Sequence, residues 1–497
     1  MRREDATREM TAIKKDDDAD AIEKMSPKML VAISPTLQQN CIFGIRHVQA
    51  VLLFLGMTMG YSLRVAMSIA IIPMADARTA NPDIEDYGWD PTQRNLVLSS
   101  FFWGYVVTQV PSGYIAGIWS SQKLLSIGML LCGVFNIVTP IVASQWGLPA
   151  VLVCRVGMGL MQACLLPCIQ SLLSKWAPPS ERARLGTFAY AGAQFGTVIT
   201  MPISGFLAGS SIGWPSIFYL FGALTILWSS IFFYFGADSP AEHRSISQKE
   251  REYIEKSLRI TETKDKNKNE SKQKRIPWKE IFTSLPMWAL IIAHCSQNWG
   301  YWTLLTKMPS YMRGVMKNIE ESGLFSALPY LVMWIFSFPI SWLSDYALEK
   351  GMSRGTVRKV CNSVAHWGPA VALACMSIVP TDDITWAIVI LTVAVGLNAG
   401  SLCGYQINHI DLSPNFAGTM MSITNCFATI TAIIAPLICS LIVPDESNVY
   451  QWNIVFCVSA AIFFLGNLIF VICGKGEVQW WNDPEEVKAR QKRKGDI

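Results

Sequence analysis

"VQAVLLFLGMTMGYSLRVAMSIAIIPM" fills residues 48–74, and Arg64 is the only fully charged side chain in it. As a helix rising about 1.5 Å per residue, this stretch is longer than the roughly 30 Å hydrocarbon core of a bilayer. Comparable apolar blocks recur along the chain, and twelve are read at about 48–73, 95–118, 123–143, 149–173, 186–209, 214–236, 286–312, 321–345, 358–379, 384–408, 416–442 and 451–473. The whole chain of 497 residues is 51% hydrophobic and only 16% charged, with a mean hydropathy of +0.30. A soluble chain usually carries about a quarter charged residues. The first block lies behind a long charged tail and lacks a small-residue cleavage site, so it is read as a span and not as a signal peptide. The sequence predicts an all-α polytopic membrane protein.

Lysine and arginine set its orientation. Of 41 such residues, 34 fall in segments that share one side of the membrane if the amino terminus is cytosolic. Four fall on the other side (Arg78, Arg94, Arg313, Lys317), and Arg64, Arg155 and Lys307 lie within predicted spans. This asymmetry follows the positive-inside rule and predicts both termini in the cytosol. The net charge of +4 is then a topology signal, and no nucleic-acid partner is expected. The sequon Asn269-Glu270-Ser271 would sit in a cytosolic linker and stay unused. All 13 cysteines lie in or beside spans, which predicts packing residues and no disulfides.

The chain divides into a tail (1–47), a first set of six spans (48–236), a charged linker (237–285), a second set (286–473) and a tail (474–497). The fourth span of the first half exits through "SKWAPPSERARLGT", and the fourth of the second through "NHIDLSPNFAGTMMS". Each has a proline past the helix end, a polar turn and a run of small residues. Such echoes predict two pseudo-symmetric six-helix bundles around a central site, the plan of many secondary transporters.

No Asp or Glu lies deep in any predicted span, whereas Arg64 and Arg155 do; Asp345 and Asp411 sit at cytosolic helix ends. An arginine at the bilayer centre costs at least about 2.5–3.5 kcal/mol on insertion scales, so it faces protein or a watery cavity. The uncompensated charge is positive and suits an anion, which guanidinium grips through two parallel hydrogen bonds. Gly60, Tyr61, Arg64 and Ser68 share one helix face, and Arg155 shares a stripe with Gly159 and Gln162. Counted along their helices, both arginines reach similar depth in the outer half. The plainer alternative is that each snorkels or bonds a carbonyl. In "HCSQNWGYWTLLTKMPSYM", Asn298 and Tyr301 are candidate substrate contacts or interhelical glue, with Gly300 and Pro309 expected to interrupt the helix. His294 and His366 read as packed residues.

Several stretches together resemble one family: "YSLRVAMSIAI", "SSFFWGYVVTQVPSGYIAG", "SKWAPPSERARLGT", "NWGYWTLLTKMPSYM", "GLFSALPYLVMW", "LSDY", "INHIDLSPNFAGT" and "GEVQWW". The chain resembles the anion:cation symporter branch (solute carrier family 17) of the major facilitator superfamily. That branch includes type I sodium-phosphate cotransporters, sialin and vesicular glutamate transporters. The resemblance implies the major facilitator fold and anion recognition by Arg64 and Arg155. It also makes His409 and Asp411 the polar signature closing the tenth span, and Asp345 an acid that latches one conformation. Glutamate carriers have a histidine where this chain has Leu98 and an arginine where it has Gln297, which speaks against glutamate. The glutamate and sialate branches have a carboxylate where this chain has Gln162, which puts proton coupling there in doubt and favours phosphate-type members, insect cotransporter-like ones included.

The reading is a secondary active transporter of small anions, with sodium-coupled inorganic phosphate symport foremost. The alternative is an organic-anion carrier (acidic sugar, carboxylate or urate) driven by protons or membrane potential. Tyr61, Arg64, Arg155, Asn298 and Tyr301 are the expected substrate contacts; Gln162, Asp345, His409 and Asp411 are the expected coupling or gating residues. No HExxH, GxSxG or paired Cys/His set suggests an enzyme. No cofactor or metal is expected beyond the coupling cation, sodium. A monomer in the plasma membrane, rather than a vesicular or lysosomal membrane, completes the expectation.

Overall fold

The computed structural model describes residues 44–76, 81–84, 86–261, 276–314, 322–376, 384–445, 447–483, 485–487 and 490. Helices dominate them, because inside lipid a backbone must satisfy its own N–H and C=O groups. The first half contains α1 (Ile45–Ala75), α2 (Pro91–Ile118), α3 (Ser121–Gln162), α4 (Leu165–Trp176), α5 (Arg182–Ala208) and α6 (Pro215–Phe235). Between the halves lie α7 (Gln248–Thr261) and the short α8 (Trp278–Phe282). The second half contains α9 (Leu285–Gly314), α10 (Ser322–Glu349), α11 (Arg354–Cys375), α12 (Ile384–Leu397), a π-helical turn (Leu402–Gln406), α13 (Ile407–Leu412), α14 (Ala417–Ile442) and α15 (Val449–Cys473).

Twelve crossings result. The helix α3 holds two of them, reversing at Gly147, whose φ of 65° suits a residue without a Cβ. The second crossing of α3 continues through α4; likewise α12, the π turn and α13 make one crossing with an irregular middle. Local chemistry sets several starts. Asp90 and Gln93 cap α2 reciprocally ahead of Pro91, Ser353 caps α11 and Asn448 caps α15, each supplying an acceptor to an otherwise orphaned N–H. Large apolar side chains such as Phe206, Leu441, Val153 and Trp342 point outward and exposed; lipid is their natural solvent.

Two expectations from sequence need correction. Gly300 and Pro309 do not interrupt a helix, since α9 runs unbroken from Leu285 to Gly314. Gly300 serves close packing instead: a Cβ there would collide with the ring of Phe463 on α15. The linker, read as solvated, contains α7, which docks on the first bundle. Ile254 is fully buried, and the Glu250 carboxylate accepts from the Ile45 and Arg46 amides and from Arg46 Nη1 at 3.0–3.2 Å. Arg46 also pairs with Glu181 at 2.7 Å, so this residue, assigned from sequence to the N-terminal tail, is a buried clamp. The side chain of Lys307, the Asn269 sequon, and the tails before Gly44 and after Arg490 lie outside the described residues.

The apolar core is not divided cleanly between halves. One cluster joins Leu165, Leu172, Tyr190 and Phe232 of the first half with Leu402, Ile410 and Met421 of the second. The helices α2 and α14 pack together there, as do α5 and α10. Both bundles therefore close on each other at this end, the one that the lysine and arginine distribution assigns to the cytosol.

Candidate functional site

Backbone contact between helices builds the site. A Cβ on Gly159 would collide with the Phe101 carbonyl, and one on Gly104 with the Val156 carbonyl. Small residues thus let α2 and the second crossing of α3 touch main chain to main chain. This brings Phe101 and Tyr105 of α2 against the stripe carrying Arg155 and Gln162. The helix α1 meets the same stripe, where Gln162 Nε2 donates to Gly60 O at 2.9 Å.

Arg64 lies at this junction. Its Nε donates to Gln162 Oε1, and its guanidinium carbon sits 5.0, 4.9 and 4.7 Å from the ring centres of Tyr61, Phe101 and Tyr105. The quadrupoles of three ring faces favour a cation. Among the described residues no carboxylate pairs with Arg64, and its buried Nη2 has no hydrogen-bond acceptor. Arg155 is 3% exposed; its Nε reaches the Val97 carbonyl at 3.5 Å, and its guanidinium lies 5.1 Å from the same Phe101 ring. Two cations, Arg155 buried and Arg64 half-buried, thus flank one ring.

The second half contributes from α9. Tyr301 stacks edge-on to Trp302 and Tyr330 and lies within electrostatic reach of Tyr61 and Arg64. Trp302 meets Phe102 of α2 edge-on at 5.6 Å. Asn425 of α14 donates to the Tyr105 hydroxyl at 2.9 Å, so the aromatic wall of Arg64 is tied to the opposite bundle. Asn298 behaves differently. Its Nδ2 donates to His294 O and its Oδ1 accepts from Trp302 Nε1, both along its own helix. Gln297 pairs with Asn398 at 2.9 Å.

The expected coupling and gating residues separate into three places. Gln162 belongs to the Arg64 cluster. His409 lies buried on α13, where Nδ1 meets Gln406 O at 3.0 Å and Nε2 meets Thr424 Oγ1 at 2.9 Å, and His294 reaches the same hydroxyl at 3.1 Å. His366 is held by Asn362 O and Ala293 O. Asp345 and Asp411 stand at the seam where the two bundles close on each other. Asp345, fully buried, accepts from the Ala183 and Arg184 amides at 3.3 and 2.9 Å and from Arg184 Nε at 3.0 Å. It therefore caps α5, in the opposite bundle, rather than the loop next to it. Asp411 binds Arg182 Nη1 at 3.0 Å and Arg358 Nε at 2.6 Å, all three about 1% exposed.

Sequence reading missed several of these partners. Arg182, Arg184 and Arg358 appeared there only as topology charges, although "SERAR" (180–184) places the first two beside a span end and Arg358 opens a predicted span. Phe101 and Tyr105 gave no signal, because an aromatic facing a cation looks the same in sequence as one facing lipid. Also unforeseen were Gln170, which donates to Gln406 O across the seam at 3.0 Å and accepts from Tyr190, and Thr187, whose Oγ1 is 3.1 Å from Cys403 Sγ.

Known proteins match along nearly the whole chain. The Major Facilitator Superfamily profile covers residues 50–436. A Drosophila melanogaster protein named "Putative inorganic phosphate cotransporter" is 39% identical over 90% of this chain and 88% of its own. Human sialin is 36% identical over 88% of this chain and 90% of its own. Human vesicular glutamate transporter 2 is 31% identical over 92% of this chain and 79% of its own. The proton:xylose symporter XylE, solved with 6-bromo-6-deoxy-D-glucose, superposes with a TM-score of 0.64 at 13% identity, over 89% of this chain and 99% of its own. A bacterial homologue of the iron transporter ferroportin gives 0.59 at 14%, over 85% and 98%. These two speak to the fold alone. With profile, relatives and architecture in agreement, the chain belongs to the Major Facilitator Superfamily, in its anion:cation symporter branch (solute carrier family 17), and is an anion transporter rather than an enzyme.

Proposed function

We propose that this transporter carries inorganic phosphate together with sodium, by alternating access, with Arg64 as the anchor for the anion. The carrying observation is the state of Arg64: within a membrane-spanning helix, bound to a neutral amide, without a carboxylate partner among the described residues, and with a buried N–H group lacking an acceptor. An anion supplies that acceptor and offsets the charge. Arg155 adds field from one side, and Tyr61 and Tyr301 offer hydroxyls from the two bundles. Gln162 orients Arg64 but cannot carry a proton, which supports coupling to a metal cation rather than to protons at this position. The name of the Drosophila melanogaster relative agrees with phosphate. The protein works as a monomer in the plasma membrane, with both termini cytosolic.

A second reading has its own support. Three aromatic rings around Arg64 suit an organic anion with a flat or ring-shaped body, and human sialin is nearly as similar as the phosphate-named relative. Uptake of labelled phosphate, sialate, glutamate and urate into proteoliposomes, with sodium and proton gradients imposed separately, decides between them. Phosphate accumulation that requires inward sodium is expected. Accumulation of an organic anion on a proton gradient or membrane potential, with phosphate ignored, would establish the second reading.

A further inference from the structure

The repeat between the bundles breaks at one position. "PSGYIAG" (111–117) at the cytosolic end of α2 is the counterpart of "PISWLSD" (339–345) at the end of α10. Six residues past the proline, one half has Asp345 and the other has Gly117. Asp345 caps the start of α5. At the start of α14, matched to α5 through Gly186-Thr187 and Gly418-Thr419, Phe416 supplies no cap, and no carboxylate among the described residues plays the part of Asp345. Where a carboxylate would stand there is a cavity of about 300 Å³, reached from the cytosolic side and lined by Gly117, Ser174, Lys175, Arg182, Asn415 and Thr419 among others.

The cavity is electropositive. Arg182 is 1% exposed; Asp411 takes its Nη1, while Nε and Nη2 have no acceptor among the described residues. Asp411 is shared with Arg358 and cannot neutralise both. Glu255 of α7 also lines the cavity, but its carboxylate is paired with Arg251 at 2.8 Å. A helix start further favours negative charge.

We propose that this cavity binds an anion of the phosphate class from the cytosol, with Lys175 and Arg182 as its charge partners, and that the bound anion latches the closed cytosolic seam as Asp345 does on the pseudo-symmetric side. Its walls come from α2, α4 and α5 of one bundle and residues 414–419 of the other, so separating the bundles dismantles it. A ligand confined to one state stabilises that state. If the anion is the transported one, cytosolic accumulation slows the carrier's return. The inference rests on alternating access but not on Arg64 holding substrate.

Free phosphate and the phosphorylated head group of an inner-leaflet lipid offer the same chemistry, and the test separates them. Cys403, buried at the seam against Thr187, reports opening when its modification by a maleimide applied from the cytosolic face is followed by mass spectrometry. The full chain carries Arg64→Ala, so that any effect is independent of the central site. Inorganic phosphate at ten times its dissociation constant should slow labelling about tenfold. Alternatively, vesicles containing a phosphorylated inositol lipid should do so without free phosphate, which would make the head group the ligand. Lys175→Glu should abolish the protection. Gly117→Asp should slow labelling with no anion present, and it fits, since a Cβ at Gly117 meets only Thr419 Oγ1 at 3.9 Å. Protection by neither source, or protection that survives Lys175→Glu, overturns the proposal.

Discussion

A guanidinium and an ammonium differ in shape more than in charge, and Arg64 tests that difference. Its planar fork holds Gln162 with Nε while Nη2 remains available, an arrangement lysine cannot copy. Arg64→Lys is therefore expected to bind substrate nearly as poorly as Arg64→Ala. Losing a charge-assisted bond is worth roughly 1.5–3 kcal/mol, so affinity should fall at least about tenfold. Equilibrium binding to purified protein, with folding checked by thermal unfolding, measures it; near-normal binding by the lysine variant would return Arg64 to a topological role. Gln162 carries the companion prediction. Its neighbours are Arg64 and the Gly60 carbonyl, so Gln162→Glu places a titratable group beside a cation in a buried setting. Transport by Gln162→Glu should gain a pH dependence that the parent lacks at this position. A parent already strictly proton-driven, with the variant indifferent, would contradict this.

At the scale of elements, the seam joins helix starts of one bundle to helix ends of the other. Asp345 gives α5 two main-chain acceptor contacts and one ion pair, and each is lost when the bundles part. With Asp345 buried and Arg184 39% exposed, the pair adds little net stability, because desolvation of the carboxylate offsets much of the attraction; its value here is that it exists in one state. Asp345→Asn should shift the protein toward the cytosol-open form with the substrate affinity of the isolated site retained. Faster cytosolic thiol labelling at the seam would show the shift, and unchanged labelling would count against a latch. The helix α7 instead braces the first bundle alone, since Glu250 clamps Arg46 at the start of α1. Its pattern, Ile254 and Leu258 among charges, is that of a docking helix, but the surrounding charged run hid it in sequence.

For the whole molecule, the proposed alternating access requires the two bundles to separate at the seam. Thr187 Oγ1 and Cys403 Sγ, on opposite bundles, are 3.1 Å apart. A second thiol at position 187 would come within reach of a disulfide after a small adjustment. Thr187→Cys under mild oxidation should therefore stop transport, and reductant should restore it. Undiminished transport after verified cross-linking would mean that the seam need not open.

The sequence by itself determined the membrane class, the twelve crossings, the two-part plan and the family. Each follows from block length, composition and local motif, which a linear reading preserves. Arg64 also stood out, because one charge in an apolar run is visible without coordinates. Tertiary structure alone decided what Arg64 meets, since the Phe101 and Tyr105 rings reach it only through the glycine contact between α2 and α3. Likewise, Asp345 and Asp411 found partners more than fifty residues away, across or beside the seam. Gly300 turned from a supposed helix break into a packing contact for the same reason. Spacing along a chain reports which side chains share a helix face; which faces meet depends on where small residues let backbones approach, and that is settled only when the helices pack.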